Sequence, residues 1–339
     1  TMVKITLKIS EIFKVIFTIV TPFILSTFIY NCSTVVNMTI YYHIMDFKHV
    51  DDVIASNHYG IFATQAIAVV NIPIAIASAM SSAMIPGISA SYAKDNFEQT
   101  RRQVSKAIQM TMLIAIPAMV GMAVLPKPIM QFIFPQKEAL DMASGLLAAL
   151  SVTIVLYSLS TLTNAVLQGI GKVNTPVLHA AIALVVQVGG LIALLFRTEL
   201  DLYALACANI IYSLVVCLLN QLSVRKHLDY RLDIIQFFLK PLFSAGVMGA
   251  AAFGVYHGLM LLIPVSRAVL LLAIGVGACV YFAVLLLIGG VSEEELLAFP
   301  KGYLLVRLAH KLHLLPDGKR AKRIKKKKKR KRRKKSRRR

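Results

Sequence analysis

Residues 268–289 read AVLLLAIGVGACVYFAVLLLIG and contain no Asp, Glu, Lys or Arg. An α-helix rises 1.5 Å per residue, so this stretch forms a helix about 33 Å long, enough to cross the ~30 Å hydrocarbon core of a bilayer. A charge at the centre of such a helix costs about 2.5–3.5 kcal/mol even on lenient insertion scales. The stretch is therefore predicted to be a transmembrane helix.

The rest of the chain repeats this pattern between short polar loops. Together with the first stretch, the apolar segments predict eight spans, at about 12–45, 59–89, 104–125, 139–169, 176–196, 202–221, 241–262 and 268–289. The 339 residues are 57% hydrophobic, whereas 45–50% is typical of soluble proteins. The predicted fold class is an all-α integral membrane protein with about eight transmembrane helices.

Loop charge predicts the orientation of these spans. One side carries twelve basic residues, at positions 4, 8, 14, 94, 101, 102, 106, 172, 225, 226, 231 and 240, and the other carries five, at 48, 127, 137, 197 and 267. Because Lys and Arg accumulate in cytoplasmic loops, both ends of the chain are predicted to be cytoplasmic. The chain opens Thr1-Met2, and we expect these helices to be the C-terminal part of a longer protein.

The segments outside the spans are predicted to lie on the membrane surface. Short apolar pieces at 127–134 and 228–240 are expected at the outer and inner interfaces, and 291–317 is expected to form an amphipathic cytoplasmic helix. Residues 318–339 hold 18 of the 38 basic residues and no acid, so they are predicted to be a disordered polybasic tail. Such a tail is drawn to anionic lipids, whereas nucleic-acid binding by it would be non-specific.

Polar side chains form stripes on three of the predicted helices, and in the second span the alanines at 68 and 75 make the stripe small or polar. They lie on one side of each helix, at residues 26, 27, 30, 33, 34, 37 and 41 of the first span, 64, 68, 71, 75, 78 and 82 of the second, and 153, 157, 160, 161, 164 and 168 of the fourth. Small and hydroxyl residues also serve as ordinary helix packing surfaces in membranes. Full-length stripes that include Asn, Gln and Tyr favour a shared hydrated cavity faced by these three helices.

Ionisable residues do not predict catalysis. All sixteen acidic residues lie in loops or near helix ends, and the eight histidines show neither metal-ligand spacing nor a carboxylate partner. The four cysteines lie in apolar stretches and form no CxxC pair. The chain is therefore expected not to be an enzyme, with no catalytic residue, cofactor or metal site. An intramembrane carboxylate for ion coupling is also missing from the predicted spans.

Three segments carry a resemblance to a known family. They are MIPGISASYAKDNFEQTRRQVSKAI at 84–108, LQGIGKVNTPV at 167–177 and EEELLAFPKGYLLVRLAHKL at 293–312. They resemble the bacterial polysaccharide flippases of the multidrug/oligosaccharidyl-lipid/polysaccharide (MOP) exporter superfamily, particularly the stage V sporulation protein B type. These motifs are structural rather than catalytic.

The resemblance implies a fourteen-helix, MATE-like fold of two six-helix lobes and a final helix pair. These spans would be helices seven to fourteen, with the second lobe at 1–222 and the linker and final pair at 223–290. The missing N-terminal lobe would complete the cavity. At Asn37 many relatives carry Asp, so a carboxylate role there is in doubt.

The implied function is to flip a lipid-linked polysaccharide or peptidoglycan precursor across the bacterial cytoplasmic membrane by alternating access. Amides and hydroxyls suit sugar hydroxyls, which need donors and acceptors without fixed charge. Arginines at the cytoplasmic mouth suit the pyrophosphate, although plain positive-inside anchoring also explains them. The candidate substrate-binding residues are Tyr30, Asn31, Thr34, Asn37, Tyr41, Gln65, Asn71, Ser78, Arg101, Arg102, Tyr157, Asn164 and Gln168.

Two other functions fit the same helices. A multidrug cation antiporter of the superfamily would carry an acidic residue inside its cavity. A non-transporting scaffold that recruits partners through the basic tail would tolerate apolar residues in the polar stripes. An embedded lipid-modifying enzyme would need catalytic groups that the sequence does not suggest.

Overall fold

The computed structural model describes residues 9–134, 139–230, 232–261 and 266–291, and every regular element within these ranges is helical. The α-helices are α1 (Ile9–Phe47), α2 (Asp52–Gly60), α3 (Ile67–Tyr92), α4 (Phe97–Val124), α5 (Pro126–Ile133), α6 (Leu140–Gly169), α7 (Asn174–Arg197), α8 (Leu202–Leu228), α9 (Lys240–Met260) and α10 (Ser266–Leu287). Two π-helical turns, π1 (Ile61–Ala66) and π2 (Ile235–Leu239), lead into α3 and α9.

The predicted fold class is confirmed. Within the described ranges, seven continuous helical segments are long and apolar enough to cross a membrane: Asp52–Tyr92, Phe97–Val124, Leu140–Gly169, Asn174–Arg197, Leu202–Leu228, Ile235–Met260 and Arg267–Leu287. The remaining predicted span, 12–45, coincides with α1. The protein is therefore a multi-pass membrane protein.

Helix boundaries differ from the predicted spans by up to seven residues, since α4 begins at Phe97 rather than near 104 and α8 continues to Leu228 rather than 221. The second spanning segment begins at Asp52 rather than near residue 59, because the Asp51 side chain accepts hydrogen bonds from the backbone N–H groups of Val53 and Ile54 and starts the helix there. The predicted inner surface piece at 228–240 does not remain separate, since π2 continues directly into α9. The outer piece at 127–134 is the short helix α5. The structure describes the chain only as far as residue 291, so the predicted amphipathic helix and tail lie outside it.

Helix α6 is the centre of the bundle. It contacts α3, α4, α5, α7 and α8. Leu146, Leu150 and Ile154 follow each other at four-residue spacing and are fully buried. Ser144, Ser151, Ser158 and Ala165, spaced by seven residues, are also buried. Small residues at this spacing let neighbouring helices approach closely. In a membrane the surrounding lipid is as apolar as the helices, so close packing of this kind stabilises their association in place of the hydrophobic effect.

Helices α9 and α10 pack mainly on each other and reach the rest of the bundle through α4 and α5. The contact with α4 is close at Gly249, where an added Cβ would lie 2.9 Å from Val120 Cγ1. On the other side of α6, α7 packs against α8 and α1. Residues of α1, α3 and α6 border one common cavity.

Candidate functional site

A cavity of about 100 Å³ lies between α1, the continuous α2–π1–α3 segment, α6 and α8. Its lining comes from all four, and consists of Ser33, Thr34, Asn37, Tyr59, Phe62, Ala63, Ile67, Val70, Asn71, Ile74, Thr153, Tyr157 and Asn209. None of these described lining residues carries a charge at neutral pH. Thr34, Asn37, Asn71 and Tyr157 are among the predicted site residues, and the structure brings them together around this one cavity.

Hydrogen bonds between helices fix the polar wall of this cavity. The Tyr157 hydroxyl of α6 donates to Asn209 Oδ1 of α8 at 3.0 Å. The Ser33 hydroxyl of α1 donates to Gln187 Oε1 of α7 at 2.7 Å. Such bonds hold side chains at fixed depth and rotation, so the cavity presents an ordered set of oxygen and nitrogen atoms.

Asn37 has an unmet hydrogen-bonding atom beside the cavity. Its side chain is 4% exposed, and its Oδ1 has no hydrogen-bond partner among the described residues. Buried carbonyl oxygens of this kind are rare, because leaving one unpaired costs about 1–3 kcal/mol. The atom is therefore able to accept a hydrogen bond from a hydroxyl or N–H group that enters the cavity.

Asn164 belongs to a second polar cluster and is absent from the cavity lining. Asn220 Nδ2 of α8 donates to Asn164 Oδ1 at 2.7 Å, and Asn220 Oδ1 lies 2.7 Å from His179 Nδ1 of α7. Because this oxygen can only accept, the geometry places the ring proton of His179 on Nδ1. His179 Nε2 lies 3.3 Å from the Ser223 hydroxyl. The cluster ties α6, α7 and α8 together, and sugar binding by Asn164 stays a prediction.

Other predicted site residues are absent from the cavity lining. The buried Tyr41 donates to Asp201 Oδ1 at 2.9 Å, and Ser78 donates to Thr161 Oγ1 at 3.4 Å between α3 and α6. Asn31 is exposed on α1, whereas Gln65 in π1 and Gln168 at the end of α6 are half-buried. The side chain of Tyr30 lies outside the described residues.

The two arginines differ in their surroundings. Arg101 Nε donates to the carbonyl of Leu228 at the end of α8, and its guanidinium lies 3.6 Å from the Asp229 carboxylate. Nearby, burial raises the pKa of the Tyr230 phenol, because the phenolate would lose its solvation. Arg102 pairs at 2.6 Å with Glu98, four residues earlier on α4, and both side chains are well exposed. Arg101 thus has a helix-capping role, whether or not it also attracts a phosphate.

Arg101→Ala is expected to lower the free energy of unfolding by about 1 kcal/mol, because the last carbonyl of α8 and Asp229 both lose a partner. The matched change Arg102→Ala removes an exposed pair worth about 0.5 kcal/mol or less. Thermal denaturation of both variants in detergent measures the difference. Equal melting temperatures for the two variants would contradict the capping role.

The sequence prediction missed α8 as a polar wall. Asn209 lines the cavity, and Ser213 and Asn220 follow it at spacings of four and seven residues and are buried. This spacing places all three on one helix face. The sequence therefore contained a polar face on α8, but this face has fewer polar residues than the hydroxyl-rich stripes of α1 and α6.

A second, larger cavity of about 410 Å³ lies between α4, α9 and α10. Its wall is almost entirely apolar, with Leu113, Pro117 and Met248 among the lining residues. The hydroxyl of Tyr281, which also lines it, donates to the backbone carbonyl of Leu113 at 3.1 Å. The polar and apolar cavities thus use different helices.

Comparison with known proteins identifies the family. The family model MatE matches residues 22–191, half of the chain, which includes α3, α4 and α6. The chain is also 30% identical over 169 residues to the protein named lipid II flippase MurJ from Bacillus subtilis (strain 168). That match covers 49% of this chain and only 30% of the length of the relative. The chain belongs to the MatE family, within the MOP superfamily of membrane transporters and flippases.

Proposed function

We propose that this chain is part of a flippase for a lipid-linked oligosaccharide, such as a polysaccharide or peptidoglycan precursor, in the bacterial cytoplasmic membrane. The observation that carries the proposal is the uncharged polar cavity, to which four helical segments contribute amide and hydroxyl groups. Sugar hydroxyls donate and accept hydrogen bonds, so uncharged amides and hydroxyls match them without the desolvation cost of a buried charge. The likeness to a protein named lipid II flippase supports the same class of substrate.

Exposure of polar residues supports a missing partner for this bundle. Asn31, Thr34 and Asn71 are exposed although they lie well inside α1 and the Asp52–Tyr92 segment, at depths where lipid tails would surround them. Polar groups at such depth normally face protein or water rather than lipid. We therefore propose that an N-terminal lobe of the same protein faces these residues, and that the cavity opens alternately to either side between the two lobes.

The apolar cavity between α4, α9 and α10 supports a lipid-linked rather than a free sugar. An isoprenoid chain of the substrate would stay against such apolar walls, while the headgroup occupies the polar side. Because the chain would come from surrounding lipid rather than from water, close packing and not the hydrophobic effect would hold it against these walls. The stage V sporulation protein B type remains the subgroup that we propose.

A multidrug cation antiporter is the second candidate within the superfamily. Cationic substrates favour carboxylates, and none of the described residues that line the polar cavity is acidic. A scaffold function would not require the cavity at all, and it therefore predicts that apolar replacements there are harmless.

Complementation tests the proposal against these rivals. The full-length protein is expressed in a bacterium depleted of its peptidoglycan-precursor flippase, alongside Asn71→Leu in the cavity and Ile72→Leu as the exposed neighbour outside it. We expect rescue by the wild type and by Ile72→Leu, and loss of rescue with Asn71→Leu at equal membrane levels. No rescue by a correctly inserted wild type would contradict precursor export, and full rescue by Asn71→Leu would contradict the role of the cavity.

A further inference from the structure

One end of the polar cavity is closed by a short helical segment. Tyr59, at the end of α2, lines the cavity, and its hydroxyl donates to the backbone carbonyl of Thr34 in α1 at 3.4 Å. Its ring packs in a cluster with Tyr41, Tyr42 and Phe62, in which neighbouring centroids lie 5.7–6.0 Å apart and Phe62 also lines the cavity. On the charge-based topology this is the extracellular end. We expect this aromatic cluster to limit water entry into the cavity from that side.

A carboxylate at the start of α8 holds this segment in place. Asp201 Oδ2 lies 3.1 Å from His58 Nδ1 of α2, and Asp201 Oδ1 accepts a hydrogen bond from the Tyr41 hydroxyl of α1 at 2.9 Å. The side chains of His58 and Asp201 are 27% and 39% exposed, so water reaches the pair. Three helices meet at this one carboxylate, directly beyond the aromatic rings.

The backbone of Asp201 is itself under strain. Its φ of 45° lies in the left-handed region, which is costly for a residue with a Cβ atom. Strain of about 1–3 kcal/mol persists only where surrounding contacts over-determine the conformation, and such positions concentrate at functional and switching sites. The hydrogen bonds to Tyr41 and His58 supply those contacts.

A π-helical turn, π1, joins α2 to α3. In π1 the N–H of Ile67 bonds to the carbonyl of Phe62, five residues earlier, rather than four as in an α-helix. A π-turn holds one extra residue, and its conversion to α-helix rotates the two flanking segments by about 100° relative to each other. Gly60 stands at the junction of α2 and π1, with open space where a Cβ would lie.

We propose that α2 is a gate over the polar cavity, which pivots at π1 and is latched shut by the Asp201 carboxylate between Tyr41 and His58. The latch joins α2 to α8, and its release frees α2 to swing away from α1 and expose Tyr59 and the cavity behind it. The outward face of α2 is compatible with this motion, because Val53 and Ile54 are exposed. The gate controls access to the cavity of the proposed function, but its motion is measurable without any transported substrate.

The test is a distance measurement between spin labels in lipid nanodiscs. Labels are placed at Ser56 of α2 and Glu199 before α8, both exposed, in the full-length protein with its native cysteines replaced. Asp201→Ala is expected to raise the ratio of long to short label distances about tenfold, the effect of losing one charge-assisted hydrogen bond. Asp201→Asn keeps an acceptor for Tyr41 and should give a smaller shift, which also covers the case in which the alanine variant fails to fold.

Two further variants make the test selective. Asp141→Ala breaks the Lys127–Asp141 pair, an exposed pair at the same predicted side of the membrane, and should leave the distances unchanged. Gly60→Ala stiffens the joint without a clash and should lower the ratio of long to short distances. An unchanged distribution in both Asp201 variants, or an equal shift in Asp141→Ala, would overturn the latch. Neither result would bear on whether the protein is a flippase.

Discussion

Replacing Asn37 by Leu is expected to abolish most transport while leaving the fold intact. The Asn37 side chain is buried, and its Oδ1 has no partner among the described residues, so exchanging the amide for an apolar group of similar size removes an unsatisfied atom. Such exchanges are nearly neutral or stabilising. The substrate, however, would lose a hydrogen-bond acceptor in the cavity, which lowers transport about tenfold to a hundredfold.

The measurement combines two assays on the full-length protein. Movement of a fluorescent lipid-linked oligosaccharide from one leaflet to the other of the proteoliposome membrane gives the transport rate. Thermal denaturation gives the melting temperature as the measure of stability. Met38→Leu, at the exposed neighbour of Asn37, is the matched control and should retain both. Wild-type transport by Asn37→Leu at equal incorporation would mean that this amide does not contact the substrate.

Replacing Asn220 by Leu is expected to give the largest loss of stability. Asn220 is fully buried and bonds to both His179 and Asn164, so its removal leaves a ring N–H and an amide oxygen without partners at membrane depth. Single interhelical hydrogen bonds in membranes are worth only about 0.6 kcal/mol on average, but each stranded buried group adds about 1–3 kcal/mol. A combined loss of about 2–4 kcal/mol follows.

Thermal denaturation in detergent measures this loss. Asn174→Leu is the matched control, because Asn174 is an exposed amide at the start of α7 and its replacement should change the melting temperature little. If Asn220→Leu has the same melting temperature as the wild type, the hydrogen-bonded cluster between α6, α7 and α8 does not contribute significantly to stability.

Most of the fold could be predicted from the sequence, because crossing a bilayer demands length and apolarity that a linear pattern records directly. The predicted spans recur as helices, including the most apolar one, α10. Hydropathy does not identify helical turns that are polar or that lie at the membrane surface. The first turns of the second spanning segment contain Asp52, Asn57 and His58, so hydropathy does not predict them as part of the helix. The hydrogen bonds of the Asp51 side chain show that the helix begins there.

The candidate site was predictable in part, since helical periodicity shows which residues share a face but not what that face meets. Tyr157 and Asn164 lie seven residues apart on one side of α6, and the sequence assigns both to the cavity. In the structure Tyr157 lines the cavity, whereas Asn164 meets Asn220 of α8. A helix of 30 residues passes different neighbours at different depths, so a single stripe serves as cavity wall at one level and packing surface at another.

Contacts between distant segments were beyond the sequence pattern altogether. Gln187 appears in the sequence as an isolated amide in an apolar helix, and its partner Ser33 lies 154 residues away. The sequence places Asp201 in a loop, and only the packing of α1, α2 and α8 brings it to Tyr41 and His58. The expectation that no histidine has a carboxylate partner is therefore wrong for His58. Helical periodicity relates residues three or four positions apart, so it does not record pairs that only the folded bundle brings together.

The central claim is that the polar sides of α1, α3 and α6 enclose a water-filled passage, and the most direct measurement of it is the accessibility of single cysteines. In the full-length protein without its native cysteines, cysteine is placed at Thr34, Asn71 or Tyr157 in the cavity, and at the exposed apolar positions Val35, Ile72 or Val152 outside it. A charged, membrane-impermeant thiol reagent should modify the first set at least about tenfold faster, because thiols react as thiolates, which form in water and not in lipid. Equal rates in the two sets, or no reaction at the cavity positions, would contradict the account.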